Sequence, residues 1–296
     1  MINLIKKKLQ NFIGQSYLEE KNNKILKNLG IINSKLNKEK NFKTIQDYEF
    51  QVFSQFGDDG IIQFLLNNIE VYNNNFVEFG VENYEEANTR FLLECYNWKG
   101  LVIDSDLNNI KYIKNKNYYW RNQLSAVADF ITQKNINQIL KKNNFTGNIG
   151  ILCIDIDGND YWIWKEISIV NPAIVIIEYN ARFGYEESLT IPYIENFDRK
   201  KRKESNIYYG ASLAALTKLG KQKNYSLVYT NSNGNNAYFV KNELINGNNN
   251  LIKENSPKEC FNLNSFKEYK DSNNNIISLS KEDEYKFLKE YDLIKI

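Results

Sequence analysis

Hydrophobic and polar positions divide the middle of the chain into two alternating kinds of segment. Short apolar runs rich in Ile and Val occupy residues 75–80, 100–104, 125–128, 149–155 and 173–178. Between them lie segments with helical spacing of apolar residues, among them 61–66, 87–93 and 162–164. Short buried strands that alternate with helices are typical of a parallel sheet with helices on both faces. The pattern therefore predicts an α/β domain with five parallel strands.

The end of this pattern departs from simple alternation. A helix is expected at residues 210–220, and two further strands at 225–230 and 236–240 are separated only by residues 231–235 (NSNGN). Asn and Gly between two strand patterns are typical of a hairpin. The sheet is therefore predicted to close with an antiparallel hairpin, which the standard dinucleotide-binding fold does not have.

The two ends of the chain lie outside this pattern. In the first 48 residues Ile2, Ile5, Leu9, Phe12 and Ile13 are spaced for one face of a helix. This helical extension is expected to pack on its own domain or on a partner subunit, although a basic amphipathic helix also suits a membrane surface. We predict a helical extension at 1–48, the main domain at 49–242 and a C-terminal extension at 243–296 that packs on the same domain. A homo-oligomer is compatible with this organisation.

Composition excludes several classes of chemistry. The 296 residues include 38 Lys and Arg against 36 Asp and Glu, so the formal net charge is +2 and no basic footprint for nucleic acid is present. The absence of His removes imidazole bases and His-liganded metals. Three scattered cysteines form no CxxC pair and are expected to be reduced thiols. No transmembrane segment or signal peptide is apparent, so a cytoplasmic location is expected.

The first and second predicted strands end in residues suited to a nucleoside. Glu78 lies two residues before Gly80 at the end of the first strand, and Asp104 ends the second. Glycine allows the backbone to approach a cofactor closely, and a carboxylate at a strand end accepts hydrogen bonds from ribose hydroxyls. The same logic would serve NAD, but the chain lacks the GxGxxG fingerprint.

Four segments together resemble a known family. Residues 54–60 (SQFGDDG), 76–80 (FVEFG), 155–161 (DIDGNDY) and 178–180 (EYN), in this order, resemble FkbM-like class I S-adenosylmethionine-dependent methyltransferases of bacterial polysaccharide and glycan biosynthesis. The resemblance covers residues 50–240. It implies a Rossmann-like seven-stranded, mostly parallel sheet and S-adenosylmethionine as the cofactor. The cofactor-binding residues implied in this way are Glu78, Gly80, Asn88, Thr89, Asp104, Asp129 and Asp155.

Carboxylates cluster after the fourth predicted strand. Asp155 and Asp157 point to the same side of the extended chain, and Asp160 follows in the turn. Glu178 and Asn180 follow the fifth strand. Like charges this close need a cation, a hydrogen-bond donor or a raised pKa, and hard oxygen ligands suit Mg²⁺. The alternative is that Asp155 and Asp157 cap the next helix and touch the substrate directly.

Similarity to metal-dependent O-methyltransferases such as the catechol enzyme implies Asp157, Glu178 and Asn180 as magnesium ligands, with Asp155 as a substitute. Asp157, together with Asp155, is the predicted catalytic group that receives the acceptor's proton. The predicted substrate contacts are Asp160, Tyr161, Tyr185 and Tyr209. The basic run at residues 199–203 would receive an anionic acceptor or would simply be a solvated face.

The resulting hypothesis is O-methylation of a sugar hydroxyl in a nucleotide-linked or phosphorylated glycan precursor. S-adenosylmethionine is the expected cofactor, and Mg²⁺ is a candidate second cofactor. Two other classes stay open. A nicotinamide-dependent sugar dehydrogenase or epimerase would usually carry a YxxxK pair or a full glycine fingerprint. A non-catalytic module would keep the fold and bind neither nucleotide.

Overall fold

The computed structural model describes residues 2–199, 207–247, 249–264, 269–270, 276–277 and 292–296, and within the first helix it describes side chains at Tyr17, Leu18 and from Glu20 onward. The helices are α1 Ile2–Lys38, α2 Asp58–Asn68, α3 Arg90–Tyr96, α4 Leu107–Lys114, α5 Asn117–Arg121, α6 Ile136–Lys142, α7 Asp160–Glu166, α8 Leu213–Gln222 and α9 Pro257–Cys260. Short 3₁₀ helices occupy Ile45–Tyr48, Ala181–Phe183 and Asn242–Leu244.

The strands are β1 Asn75–Phe79, β2 Lys99–Asp104, β3 Leu124–Ala128, β4 Gly147–Ile154, β5 Val170–Glu178, β6 Leu189–Thr190, β7 Tyr225–Thr230, β8 Asn236–Lys241, β9 Tyr269–Lys270, β10 Ile276–Ile277 and β11 Ile294–Lys295. Seven of them form one sheet in the order β3-β2-β1-β4-β5-β8-β7. The first five are parallel to one another, whereas β8 runs antiparallel to both β5 and β7. The predicted sheet and its closing hairpin are confirmed.

Two layers of helices bury the two faces of the sheet. Side chains of α6, α7 and α8 pack with Val77, Leu101 and Leu152 on one face. Side chains of α2, α3 and α4 pack with Phe76, Val102 and Ile151 on the other. Neighbouring residues of one strand thus enter opposite cores, which explains why the strands are apolar over most of their length.

The strand order creates a crevice at the carboxyl ends of the strands. The chain moves from β1 outward to β2 and β3, and then returns to place β4 on the other side of β1. Loops that leave β1 and β4 therefore turn in opposite directions, and open α/β sheets bind ligands at this kind of position.

Segments at both ends of the chain contact the elements that surround the seven-stranded sheet. In α1 the Oγ of Ser34 donates a hydrogen bond to Oε1 of Gln63 (3.1 Å). At the other end β11 pairs with β6, and the backbone N–H of Ile296 donates to the carbonyl of Ser188 (2.8 Å). No helix among the described residues is long and apolar enough to cross a membrane.

Candidate active site

A cleft of about 240 Å³ opens at the carboxyl ends of β1, β2, β3 and β4. It brings together five residues that the sequence predicted for one site. They are Gly80, Asp104, Asp129, Asp155 and Asp157. Residues from four separate strand ends therefore meet around a single hollow.

Gly80 forms part of the cleft and has no room for a side chain. Its backbone has φ +69°, and a Cβ placed there would lie 1.6 Å from the carbonyl oxygen of Asp155. Its N–H donates to the carbonyl of Ile103 (2.9 Å). The loops after β1 and β4 can approach each other this closely only because residue 80 is glycine.

The Asp104 carboxylate is fixed by hydrogen bonds at the end of β2. Oδ2 accepts from the backbone N–H of Glu82 (2.8 Å), and Oδ1 accepts from the N–H of Asp106 (2.8 Å) and from Nδ2 of Asn109 (3.1 Å). A carboxylate has about four lone-pair positions, so these three donors leave acceptor capacity. Asp104 thus presents a pre-oriented acceptor to the cleft.

The loop after β3 adds an acid and an aromatic ring. The backbone N–H of Asp129 donates to the carbonyl of Asp104 (3.0 Å), which ties this loop to the end of β2. Asp129 is exposed and lines the cleft, as does Phe130, whose side chain is 42% exposed. An exposed ring beside a carboxylate suits the flat face and the exocyclic amine of a purine.

Glu78, Asn88 and Thr89 form a separate buried cluster beside the cleft. The Glu78 carboxylate accepts from the backbone N–H groups of Asn88 (2.8 Å) and Thr89 (3.1 Å), and from the Thr89 hydroxyl. Burial raises the pKa of Glu78 to about 7 despite these donors. These contacts anchor the segment that leads into α3, and none of the three residues is among those lining the cleft.

Three carboxylates converge where β4 and β5 end. Asp155, Asp157 and Glu178 each place a carboxylate oxygen within 4.8 Å of the others. Burial, followed by repulsion from Asp157 and Asp160, holds the pKa of Asp155 well above its ordinary value, and burial together with Asp155 does the same for the pKa of Glu178. Oε2 of Glu178 is buried without a hydrogen-bond partner. The cluster therefore requires a bound cation, a hydrogen-bond donor or protonation of a carboxylate.

Arg199 supplies one positive charge at the outer side of this cluster. Its guanidinium forms an ion pair with the Asp157 carboxylate and lies over the ring of Tyr209, 3.8 Å from the ring centroid. Of the basic run predicted to receive an anion, residues 200–203 lie outside the described residues. Arg199 is therefore the member of that run that the structure places at the site.

The other predicted substrate contacts lie at different depths. Asp160 is buried, and its carboxylate accepts from the backbone N–H groups of Ile156 (2.8 Å) and Gly158 (2.9 Å), so it holds the loop that carries Asp157. Burial raises the pKa of Asp160 to about 6. Tyr161 belongs to the apolar core, and Tyr185 is half-buried with its ring 5.1 Å from that of Phe261.

Asn180 does not join the carboxylates. Its Nδ2 donates to the carbonyls of Ile207 (2.8 Å) and Tyr209 (3.0 Å), and its Oδ1 accepts from the N–H of Arg182. All three bonds hold the chain that follows β5. Of the predicted ligands, Asp157 and Glu178 thus lie together with the substitute Asp155, whereas the Asn180 amide is engaged by the backbone.

Several lining residues escaped the sequence reasoning. They are Glu82, Ile103, Ser105, Asp106, Asn109, Phe130, Ile131, Ile156, Asn159 and Phe197. Phe130 and Asn109 each lie a few residues beyond a predicted strand end, and that position was the available signal. Phe197 has no such signal, because it belongs to the irregular segment between β6 and α8.

The similarities to known proteins are distant. The sequence matches no family model and no curated protein. Among solved structures, it is similar to the N-terminal domain of EvdMO1 with SAH bound, at 9% identity and a TM-score of 0.37 over 56% of this chain and 72% of that one. It is also similar to an S-adenosylmethionine-dependent methyltransferase from Clostridium acetobutylicum, at 11% identity and a TM-score of 0.40 over 62% and 90%. The CurJ carbon methyltransferase matches at 8% identity and a TM-score of 0.41 over 66% and 57%. These similarities are too remote to assign a function.

Proposed function

We propose that this chain transfers the methyl group of S-adenosylmethionine to a hydroxyl oxygen of a sugar, within a nucleotide-linked or phosphorylated glycan precursor. The observation that carries the proposal is the cleft itself. Its lining combines the nucleoside-type residues Gly80 and Asp104 with Asp155 and Asp157, two members of the acidic cluster.

The cofactor would lie along the ends of β1, β2 and β3. In this proposal the Asp104 carboxylate accepts hydrogen bonds from the ribose hydroxyls, and the adenine packs on Phe130 with its amine toward Asp129. Gly80 lets the backbone approach the cofactor, and Asp155 borders the sulfonium end, where a carboxylate stabilises positive charge. Outside the cleft, the Glu78 carboxylate holds the segment at Asn88 and Thr89 through the hydrogen bonds described above.

Asp157 is the proposed base at the acceptor. The acceptor oxygen attacks the methyl carbon in line with the departing sulfur, so an O–C bond forms while the C–S bond breaks and the sulfonium becomes a neutral thioether. The hydroxyl proton passes to the Asp157 carboxylate, because a sugar hydroxyl is a weak nucleophile until its proton has an acceptor. The cleft contributes alignment of the two reactants.

The alternative to a free Asp157 base is a divalent cation held by the same carboxylates. Asp155, Asp157 and Glu178 would hold it, and the buried, unpartnered Oε2 of Glu178 supports this assignment since such an oxygen needs a positive partner. When bound, Mg²⁺ would lower the pKa of an acceptor hydroxyl.

Calorimetry tests the cofactor assignment. S-adenosylhomocysteine is expected to bind and NAD is not, and Asp104→Ala should abolish binding because it removes the ribose acceptor. Asp47→Ala is the control. This exposed residue belongs to the capping box of the 3₁₀ helix Ile45–Tyr48 and does not line the cleft. Binding of NAD alone would support the dehydrogenase alternative, and binding of neither would support a non-catalytic module.

Turnover tests the base. Asp157→Asn should abolish methyl transfer to sugar nucleotides, followed as formation of S-adenosylhomocysteine, while affinity for the cofactor changes less than about threefold. Treatment with a chelator should lower the rate if the cation takes part, and added Mg²⁺ should restore it. Wild-type turnover in the Asp157→Asn variant would refute the assigned role.

A further inference from the structure

The helix α1 has two faces with different environments. Toward the domain, Gly30 and Ser34 are buried, and Nζ of Lys27 forms an ion pair with Glu94 (2.9 Å). A Cβ on Gly30 would lie 2.4 Å from a methyl group of Val52, so the helix backbone sits directly on the domain. This side of α1 is therefore fully engaged by its own chain.

The opposite side of α1 carries a row of exposed apolar residues. We call it the seam face, and it consists of Leu18, Asn22, Ile25, Leu29, Ile32 and Leu36. Leu18 is 61% exposed, Ile25 56%, and the other three apolar members 51% each. On a helix with 100° between residues, this row lies roughly 150° around from Lys27, Gly30 and Ser34. Monomers rarely leave an apolar row of this length uncovered.

The spacing of the seam face is that of a coiled coil. Successive members are four, three, four, three and four residues apart, which is the alternation of a and d positions in a heptad repeat. Asn22, Leu29 and Leu36 take a positions, and Leu18, Ile25 and Ile32 take d positions. The residues docked on the domain, Lys27, Gly30 and Ser34, fall at b and f positions, which a coiled coil leaves on its outside.

A second copy of the same helix satisfies this face better than other occupants. In a parallel pair Asn22 meets its own counterpart, and the two amides can hydrogen-bond, whereas an antiparallel pair would bury Asn22 against Ile32. Across a parallel seam Lys21 faces Leu26 and Asn28 faces Asn33, so no like charges meet there. A membrane surface would offer no partner to the Asn22 amide in the middle of the row.

The area is sufficient for association. At about half exposure each Leu or Ile offers on the order of 100 Å², so these five residues and the half-exposed Leu26 present roughly 600 Å² per copy. Two copies would bury roughly 1,200 Å², the lower end of the range for specific interfaces.

We propose that two copies of this chain associate in parallel through the seam face of α1. The two domains then lie on the outer sides of the helix pair, because each is docked on the face opposite to the seam. The proposal does not depend on the reaction catalysed at the cleft.

Sedimentation velocity on the full chain tests this proposal. Wild type is expected to associate at about 100 µM, a hundred times a micromolar Kd, and the double variant Ile25→Glu/Ile32→Glu should sediment as a monomer. The matched control is Tyr72→Glu/Trp120→Glu, which places the same charges on equally exposed apolar residues elsewhere and should associate like wild type. Far-ultraviolet circular dichroism verifies that all three chains are folded.

Two outcomes would overturn association through the seam face, and a third would overturn its parallel register. The first is monomeric wild type at this concentration, including the case in which the monomer cosediments with vesicles of phosphatidylcholine and phosphatidylserine. The second is association that persists in the Ile25→Glu/Ile32→Glu variant. Replacing Asn22 with Leu should tighten association, because it removes a buried amide from the seam. Unchanged association in Asn22→Leu would place this residue outside the interface and overturn the parallel register.

Discussion

The Glu78 carboxyl couples folding to pH, and Glu78→Gln isolates that coupling. Glu78 is 5% exposed and accepts hydrogen bonds from Asn88 and Thr89. Burial raises its pKa from 4.5 to about 7. Because the folded pKa is higher, the folded state holds a proton that the unfolded chain has released between these two values. The stabilisation is complete below pH 4.5 and is lost as pH rises through 7.

The size of the effect follows from the two pKa values. A rise from 4.5 to about 7 corresponds to about 3 kcal/mol, most of it lost between pH 5 and pH 8. The amide that Glu78→Gln introduces does not titrate and can offer only one oxygen to the donors of Asn88 and Thr89, which costs about 1–3 kcal/mol at any pH. The wild-type minus variant difference in the free energy of unfolding should therefore fall by about 2–3 kcal/mol from pH 5 to pH 8, so that at pH 8 the variant is as stable as wild type or more stable.

Urea denaturation at pH 5, 6, 7 and 8 measures this difference. Buried carboxyls that do not interact with Glu78, such as Asp160 with a pKa raised to about 6 by burial, titrate in both chains and cancel in the subtraction, whereas repulsion between Asp59 and Glu78 contributes to the measured difference. Glu86→Gln is the control, because Glu86 is exposed in the same loop and its replacement should leave the pH dependence as in wild type. If the free energy of unfolding differs between wild type and Glu78→Gln by the same amount at all four pH values, Glu78 does not couple folding to pH.

Three further substitutions address the cleft. Gly80→Ala should lower the free energy of unfolding by about 2 kcal/mol or more and weaken S-adenosylhomocysteine binding at least tenfold, since its Cβ meets the Asp155 carbonyl. The control Gly147→Ala, with φ +71° but open space around it, carries only the positive-φ cost of about 1–3 kcal/mol and should leave S-adenosylhomocysteine binding unchanged. Phe130→Ala should raise the calorimetric Kd for S-adenosylhomocysteine about tenfold through loss of stacking, and an unchanged Kd would place the adenine elsewhere. Glu178→Gln should abolish the stabilisation of about 2.7 kcal/mol that Mg²⁺ at 100 times its Kd gives wild type in thermal unfolding, and a retained shift would exclude Glu178 as a ligand.

Local pattern was enough to predict the sheet. The hairpin of β7 and β8 was predicted within one residue, because Asn and Gly punctuate two strand patterns and such turns are encoded locally. The helix predicted at residues 210–220 begins instead at Leu213. Ser212 accepts from the N–H of Ala215 and caps it there, and this cap was not read from the apolar pattern.

The buried polar groups were harder to assign. Glu78 was predicted to contact a cofactor, yet its carboxylate is held by Asn88 and Thr89, two residues of a loop whose path no local pattern specifies. Asn180 likewise follows β5 as predicted but turns to the carbonyls of Ile207 and Tyr209. A buried polar side chain bonds to whatever the fold brings near it, so its partner depends on contacts remote in sequence.

The amino-acid sequence by itself determined where strands end and which residues stand at those ends, because apolar periodicity and turn residues act over short distances. That was sufficient to place Gly80, Asp104, Asp155 and Asp157 at the carboxyl ends of strands, whereas Asp129 was grouped with them only through the family resemblance. Only the tertiary structure decided which carboxylates converge. Asp157 adopts a left-handed backbone (φ +56°), and its side chain meets Glu178 from the next strand, a direction set by packing between separate loops.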